Sequence, residues 1–92
     1  MQAQLPKDVE ETEEFSKKCQ ELFPDTALFD RITFAVIFAF ARKPDIFPTV
    51  PGTDIQVIRV RRTEDTPPFS IFLRSVDQKT VQLLDLQIDA DP

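Results

Sequence analysis

Apolar residues near the start of the chain are spaced as in a short helix. In ETEEFSKKCQELF the apolar positions recur at intervals of three and four residues. Thr12 precedes them and can cap the helix, and acidic residues come before lysines, as the helix dipole favours. Because Pro24 ends the stretch, a first helix is predicted over about residues 12–22. The segment before it, QLPKDVE (residues 4–10), is predicted to be a short edge strand.

A second helix is predicted between Pro24 and Pro44, with Asp25 or Thr26 as its cap. Its segment ITFAVIFAFA is more apolar than an ordinary surface helix, yet it is shorter than the roughly 20 residues a membrane span needs. At about 100° per residue, its apolar positions fall on two faces. One face holds Leu28, Phe29, Ile32, Val36, Ala39 and Phe40, and the other holds Phe34, Ile37, Phe38 and Ala41.

A helix with two apolar faces is normally buried. We expect the first face to cover a sheet. The second face, Phe34, Ile37, Phe38 and Ala41, is either covered by the first helix or left as an apolar surface for a partner protein or a second copy of the chain.

Three strand-like runs follow a proline-rich loop that should turn at VPGT. The runs are DIQVIRVRR, FSIFLRSV and TVQLLDLQI, and DQK predicts a tight hairpin between the last two. In the last run Val81 and Leu83 have the opposite parity to the leucine and isoleucine positions after them, which indicates either a bulge or two covered faces. Two helices followed by antiparallel strands predict a single α+β domain over residues 1–92.

The formal net charge is −5 and the isoelectric point is about 4.6, which argues against direct binding of nucleic acid. Residues 31–75 nevertheless hold seven Lys and Arg against four Asp and Glu. Within them, a candidate patch for an acidic protein segment or a phosphate is formed by Arg59, Arg61, Arg62 and Arg74. Arg59 and Arg61 share one strand parity, Arg62 has the other, and Arg74 could join either face. The alternative is a solvated face that protects an edge strand.

The side chains that usually carry catalysis are sparse in this sequence. It has no His, no Tyr and one cysteine, Cys19, which lies on the apolar stripe of the first helix and is expected to be a small core residue. No metal-ligand cluster, phosphate-binding glycine loop or nucleophile triad is recognisable, so neither a metal nor another cofactor is expected. The first residues lack the pattern of a secretory signal, and a single cysteine suits a reducing compartment, so a cytoplasmic, non-membrane protein is expected.

The segments KPDIFPTVPGT, IRVRR, FSIFLRSVD and VQLLDLQI resemble, in order and spacing, the motifs of the RelE/ParE superfamily of bacterial type II toxins. The resemblance covers about residues 5–88. It implies a short strand and a helical hairpin packed on a small antiparallel sheet. It also implies a cognate antitoxin that holds the toxin inactive. RelE-like members cut mRNA on the ribosome, whereas ParE-like members inhibit DNA gyrase.

The chain departs from the RNA-cleaving members at positions that matter for their chemistry. Those enzymes use an arginine within the third motif and usually a C-terminal Tyr or His. Here Ser70 precedes Ile71, Leu73 stands where an aromatic residue is expected, and no Tyr or His exists to transfer a proton. An enzymatic role is therefore disfavoured.

The sequence leads to one hypothesis and two alternatives. The hypothesis is a toxin that acts by binding proteins. Its partners would be an antitoxin and, if the chain is ParE-like, DNA gyrase. The apolar face could also bind a second copy of the chain. The first alternative is a ribosome-dependent mRNA endonuclease that contacts phosphate through Arg59, Arg61 and Arg74. The second alternative is a non-toxic relative kept as a binding or regulatory module.

Overall fold

The computed structural model describes residues 8–64 and 66–89. The element order is β1 (Asp8–Glu11), α1 (Glu13–Leu22), α2 (Thr26–Arg42), a 3-10 turn (Pro44–Ile46), β2 (Gln56–Val60), β3 (Phe69–Ser75) and β4 (Thr80–Ile88). The predicted α+β class is confirmed. Within the described residues, the first strand covers the predicted positions 8–10 and extends to Glu11, and residues 4–7 of that prediction lie outside the described residues.

Both helices begin at the caps expected from the sequence. The hydroxyl of Thr12 accepts a hydrogen bond from the Phe15 N–H at 3.3 Å, and the carboxylate of Asp25 accepts one from the Leu28 N–H at 3.1 Å. The prolines after each helix exclude further turns because they lack the N–H that the helix needs. Within the described part of the chain, neither helix has the length and apolar content that crossing a membrane requires.

The sheet has four strands in the order β1-β4-β3-β2. Strands β2, β3 and β4 are antiparallel neighbours, as expected, but β1 pairs with β4 in parallel, so the sheet is mixed. The short connections between the later strands favour antiparallel pairing. No short connection constrains β1, because both helices and two strands separate it from β4. The prediction that the first strand is an edge strand is confirmed.

A bulge in β4 explains the change of parity noted in its sequence. Phe72 of β3 pairs with Asp85, but the next residue, Leu73, pairs with Leu83. Leu84 is therefore an extra residue. The bulge returns Leu86 to the same face as Leu83, and both are buried. Of the two explanations that the sequence left open, the bulge is the one found.

One face of the sheet carries the core, and both helices pack on it. The helices contribute Phe15, Phe23, Phe29, Val36, Ile37 and Phe40, and the strands contribute Ile58, Phe69, Ile71, Leu73, Val81, Leu83 and Leu86. Alternation along β3 places Phe69, Ile71 and Leu73 on this face. The residues between them face the other way, where neither α1 nor α2 covers the sheet.

The loop between α2 and β2 is held against the start of β2. The turn predicted at VPGT is present: the Thr53 N–H donates to the Val50 carbonyl at 3.1 Å, and Gly52 has a φ of 78°. The Gln56 side-chain amide donates to the carbonyls of Pro44 at 2.7 Å and Phe47 at 3.2 Å. These bonds cover part of the outer edge of β2.

Candidate functional site

The first candidate binding surface is the open face of the sheet, on the side opposite the helices. Its centre is apolar, because Val57 of β2 lies directly beside Phe72 of β3 and both are half-buried. The register also places Arg59 beside Ser70, and Arg74 beside Gln82 of β4. We call Val57, Arg59, Phe72, Arg74 and Gln82 the open-face surface.

Two of the four predicted arginines lie on this surface, at opposite ends of Phe72. Arg59 is beside Ser70, and Arg74 lies four residues further along β3, which corresponds to about 13 Å of strand. The Arg74 Nε donates to the Gln82 Oε1 at 2.8 Å, which orients its guanidinium along the sheet. The arginines therefore flank an apolar centre and do not converge on one small anion.

The predicted parities of Arg61 and Arg62 do not apply in the structure. β2 ends at Val60, so strand alternation assigns neither arginine to a face of the sheet. Both are exposed. Arg62 lines a surface cavity of about 320 Å³ at the start of the loop that leads to β3, together with Thr63, Glu64, Thr66 and Pro67.

Ser70 occupies the position where RelE-like nucleases carry an arginine, and it is tied to a carboxylate. It is 4% exposed, and its hydroxyl lies 2.8 and 2.9 Å from the two carboxylate oxygens of Asp89. A buried hydroxyl that donates to a carboxylate contributes no positive charge to the surface. Ser70 and the Asp89 carboxylate bonded to it therefore supply no positive charge beside Arg59.

The carboxylate of Asp85 in the β4 bulge is held as a fixed charge. The Lys18 Nζ donates to its Oδ1 at 2.6 Å, and the Leu86 N–H donates to the same oxygen at 2.8 Å. Burial alone would raise the pKa of Asp85, but these hydrogen bonds outweigh it and hold the pKa below its usual value. The same bond raises the pKa of Lys18. Neither group is suited to exchanging protons near neutral pH.

The second candidate surface is the outer face of α2. Phe34, Phe38 and Ala41 are half-buried there, and the two phenylalanine rings are 5.0 Å apart. Ile37, which the sequence grouped with them, is 1% exposed and belongs to the core. Ile37 lies next to Val36 and three positions before Phe40. It therefore lies on the same side of the helix as these two buried residues. Ala39, assigned by the sequence to the inner face, is exposed.

A groove of about 400 Å³ runs between α2 and the edge strand β1. Val9, Glu11, Asp30, Thr33, Phe34 and Ile37 line it. The hydroxyl oxygen of Thr33 is buried and has no hydrogen-bond partner within the described residues. The sequence did not predict this groove, because only the parallel pairing of β1 brings Val9 beside α2. The one local signal was the valine in an otherwise polar strand.

Glu11 and Asp30 also line a smaller cavity of about 190 Å³ on the α1 side, which contains Cys19. Burial, followed by the charges of these two carboxylates, raises the pKa of the Cys19 thiol to about 12. Cys19 packs against the core, as predicted, although it is only partly buried. A thiol with so high a pKa is a poor nucleophile at neutral pH.

No protein-family model matches this chain, and no curated protein matches its sequence. The resemblance to the RelE/ParE superfamily therefore stays a prediction. Among residues 8–64 and 66–89, no three His, Cys, Asp or Glu side chains are grouped so that they could hold a metal ion.

Proposed function

We propose that the chain is the toxin component of a type II toxin–antitoxin system, and that it acts in the cytoplasm by binding proteins. The order of its four motifs supports the family assignment. The observation that carries the mode of action is the open-face surface, where Arg59 and Arg74 flank the apolar pair Val57 and Phe72.

This surface suits an antitoxin segment with an apolar side chain between two acidic ones. A half-buried phenylalanine can be fully covered by a partner, and arginine and aromatic residues are the side chains that most often dominate binding energy at interfaces. Acidic residues of the segment would pair with Arg59 and Arg74. Because Arg59 and Arg74 are separated by about 13 Å along the strand direction, a segment of four or five extended residues spans them.

Four observations favour binding over RNA cleavage. Ser70 is buried and bonded to Asp89, so the arginine that RelE-like nucleases place there has no counterpart. Asp85 is held as a fixed carboxylate by Lys18. The arginines flank an apolar centre, and a chain with a net charge of −5 is repelled by the ribosome's phosphates.

Induction of the chain in bacteria tests the proposal and separates it from its alternatives. With DNA gyrase as the target, we expect slowed growth and induction of the DNA-damage response without mRNA cleavage. If growth continues and no damage response appears, the gyrase target is wrong and a non-toxic binding module is favoured. Primer extension that detects cleavage sites, lost in Arg61→Ala, would instead establish the endonuclease.

An antitoxin encoded beside this gene provides the direct binding test. Its co-expression should restore growth. Phe72→Ser and Arg74→Glu should each weaken its affinity about 30-fold or more, as expected for residues at the centre of an interface. Val76→Ser is the matched control, because Val76 is 52% exposed and lies beyond the end of β3. Equal affinity for Phe72→Ser and the unchanged chain would remove the open-face surface from the proposal.

A further inference from the structure

We propose that the outer face of α2 joins two copies of the chain in an antiparallel dimer, with Phe34 of each copy against Phe38 of the other. The proposal begins with how this face is built. The rings of Phe34 and Phe38 contact each other in a tilted arrangement, with centroids 5.0 Å apart, and both are only half-buried. On the helical wheel Phe38 points almost directly away from the buried Phe29, Val36 and Phe40. Part of each ring is therefore left to solvent on the outer side of α2.

The face has the ridge and groove that helix packing requires. Residues four apart form a ridge, Asp30–Phe34–Phe38–Arg42. In the adjacent row, Ala27–Arg31–Ala35–Ala39, all four residues are exposed; Ala35 and Ala39 form a shallow groove beside the phenylalanines, and Arg31 lies at its end. When such ridges interlock, the ridge of one helix fills the groove of its neighbour. The Phe34–Phe38 ridge of each copy can therefore lie over the alanine row of the other.

The charges at the ends of the ridge favour a second copy in one orientation. Asp30 lies four residues before Phe34, and Arg42 lies four residues after Phe38. A two-fold axis between the phenylalanines therefore places Asp30 of each copy opposite Arg42 of the other. A parallel pair would instead place like charges together, which is unfavourable.

Asp30 and Arg42 have no ion-pair partner of their own within residues 8–64 and 66–89. They are twelve residues apart on α2, or about 18 Å, so they cannot pair within one copy. Glu11 lines the same groove as Asp30, so Arg42 of the second copy would approach two carboxylates. The contact therefore satisfies charges that each isolated copy leaves to solvent.

A single pair of helices buries a small interface, below the roughly 1,200 Å² of stable complexes, so we expect dissociation in the micromolar range. The dimer does not use the open-face surface, and it goes beyond the proposed function. A toxin that fails to dimerise and a dimer that is not toxic are thus distinguishable outcomes.

Sedimentation equilibrium of the full chain, from micromolar to millimolar concentration, tests the dimer. We expect a monomer–dimer equilibrium that Phe38→Ser abolishes. Asp30→Arg and Arg42→Asp should each weaken the dimer at least about tenfold, because each creates two like-charge contacts. The double variant with both changes should recover most of the affinity. Recovery can only come from contact between copies, since the two positions are too far apart within one.

Asp54→Arg is the matched control, because it changes the net charge equally at an exposed loop position and should leave the dissociation constant nearly unchanged. Circular dichroism of each variant checks that helix content is retained. A monomer at all concentrations would overturn the proposal. It would also be overturned if Phe38→Ser still dimerised, or if the double variant bound no better than the single ones.

Discussion

Two groups of phenylalanines in this molecule have ring contacts at similar distances but opposite roles. Phe15, Phe23, Phe29 and Phe69 are buried, with ring centroids 4.8 to 6.3 Å apart. Phe34 and Phe38 are 5.0 Å apart on the surface of α2. Phe29 and Phe34 belong to the same helix and lie about 140° apart around it. Ring-to-ring distance therefore does not identify the core; position around the helix does.

The buried group is enclosed by both helices and the sheet, whereas the surface pair has its own chain on one side only. Burial of aromatic area on all sides stabilises the fold, whereas half-buried area is left for association. The following predictions test this contrast, in order of decreasing effect.

Phe69→Ala should lower the free energy of unfolding by about 3–5 kcal/mol, because Phe69 is 0% exposed and its loss leaves a cavity among packed rings. Phe38→Ala, measured in dilute solution where the chain is monomeric, should cost less than about 1 kcal/mol. Urea denaturation followed by circular dichroism measures both. Equal losses for the two variants would break the contrast between the groups.

Cys19 marks the edge of the buried group on the α1 side. Its pKa, raised to about 12 from an ordinary 9.0, makes the thiolate about a thousandfold scarcer at pH 8 in the folded chain than in the unfolded one. Alkylation by iodoacetamide should therefore be slow in buffer and fast in denaturant. The raised value also means that folding stability is intact below pH 9 and declines as the pH rises towards 12. If Cys19 of the native chain were alkylated as fast as Cys19 of the denatured chain, the thiol would not lie in this partly buried, acidic environment.

Thr33 lies on α2 between the two phenylalanine groups and buries a hydroxyl that has no hydrogen-bond partner in the described part of the chain. Thr33→Val replaces that hydroxyl with a methyl group of similar volume, so it should stabilise the fold by up to about 1 kcal/mol. The matched variant is Thr66→Val, whose hydroxyl lies 2.8 Å from that of Thr63 and whose loss should destabilise by about 1 kcal/mol. If both variants changed the free energy of unfolding in the same direction, hydrogen bonding would not be what decides the effect.

Lys18 and Asp85 lie outside both groups and should have the smallest effect. The pKa of Asp85 is lowered, so its contribution to stability is present above about pH 4 and is lost as the pH falls. The pKa of Lys18 is raised, so its contribution is present below about pH 10 and is lost as the pH rises. The melting temperature of Lys18→Met should fall slightly below that of the unchanged chain at pH 7, and the difference should shrink as the pH is lowered below 4. A difference of the same size at pH 7 and pH 3 would exclude the ion pair as its cause.

Local signals predicted most of the fold. The two caps, Pro24 and Pro44 after the helices, and the turn at VPGT are read from neighbouring residues. Both helices, the last three strands and their hairpin were found where those signals placed them. The predicted sheet faces of Arg61 and Arg62 were wrong because β2 ends at Val60. Where a strand ends depends on its partner strand as well as on its own residues. Of the predicted apolar face, Phe34 and Phe38 lie on the surface, whereas Ile37 is in the core.

The sequence by itself determined the class of the fold, the order of its elements and the absence of His and Tyr from any site, since these follow from composition and short-range spacing. Only the tertiary structure decided that β1 joins β4 in parallel, that a bulge returns Leu86 to the core, and that Arg59 and Arg74 lie at opposite ends of Phe72. It also decided which phenylalanines of α2 remain on the surface. The physical reason is that each of these features is set by contacts between residues far apart in the chain, and such pairings leave no local periodicity to detect.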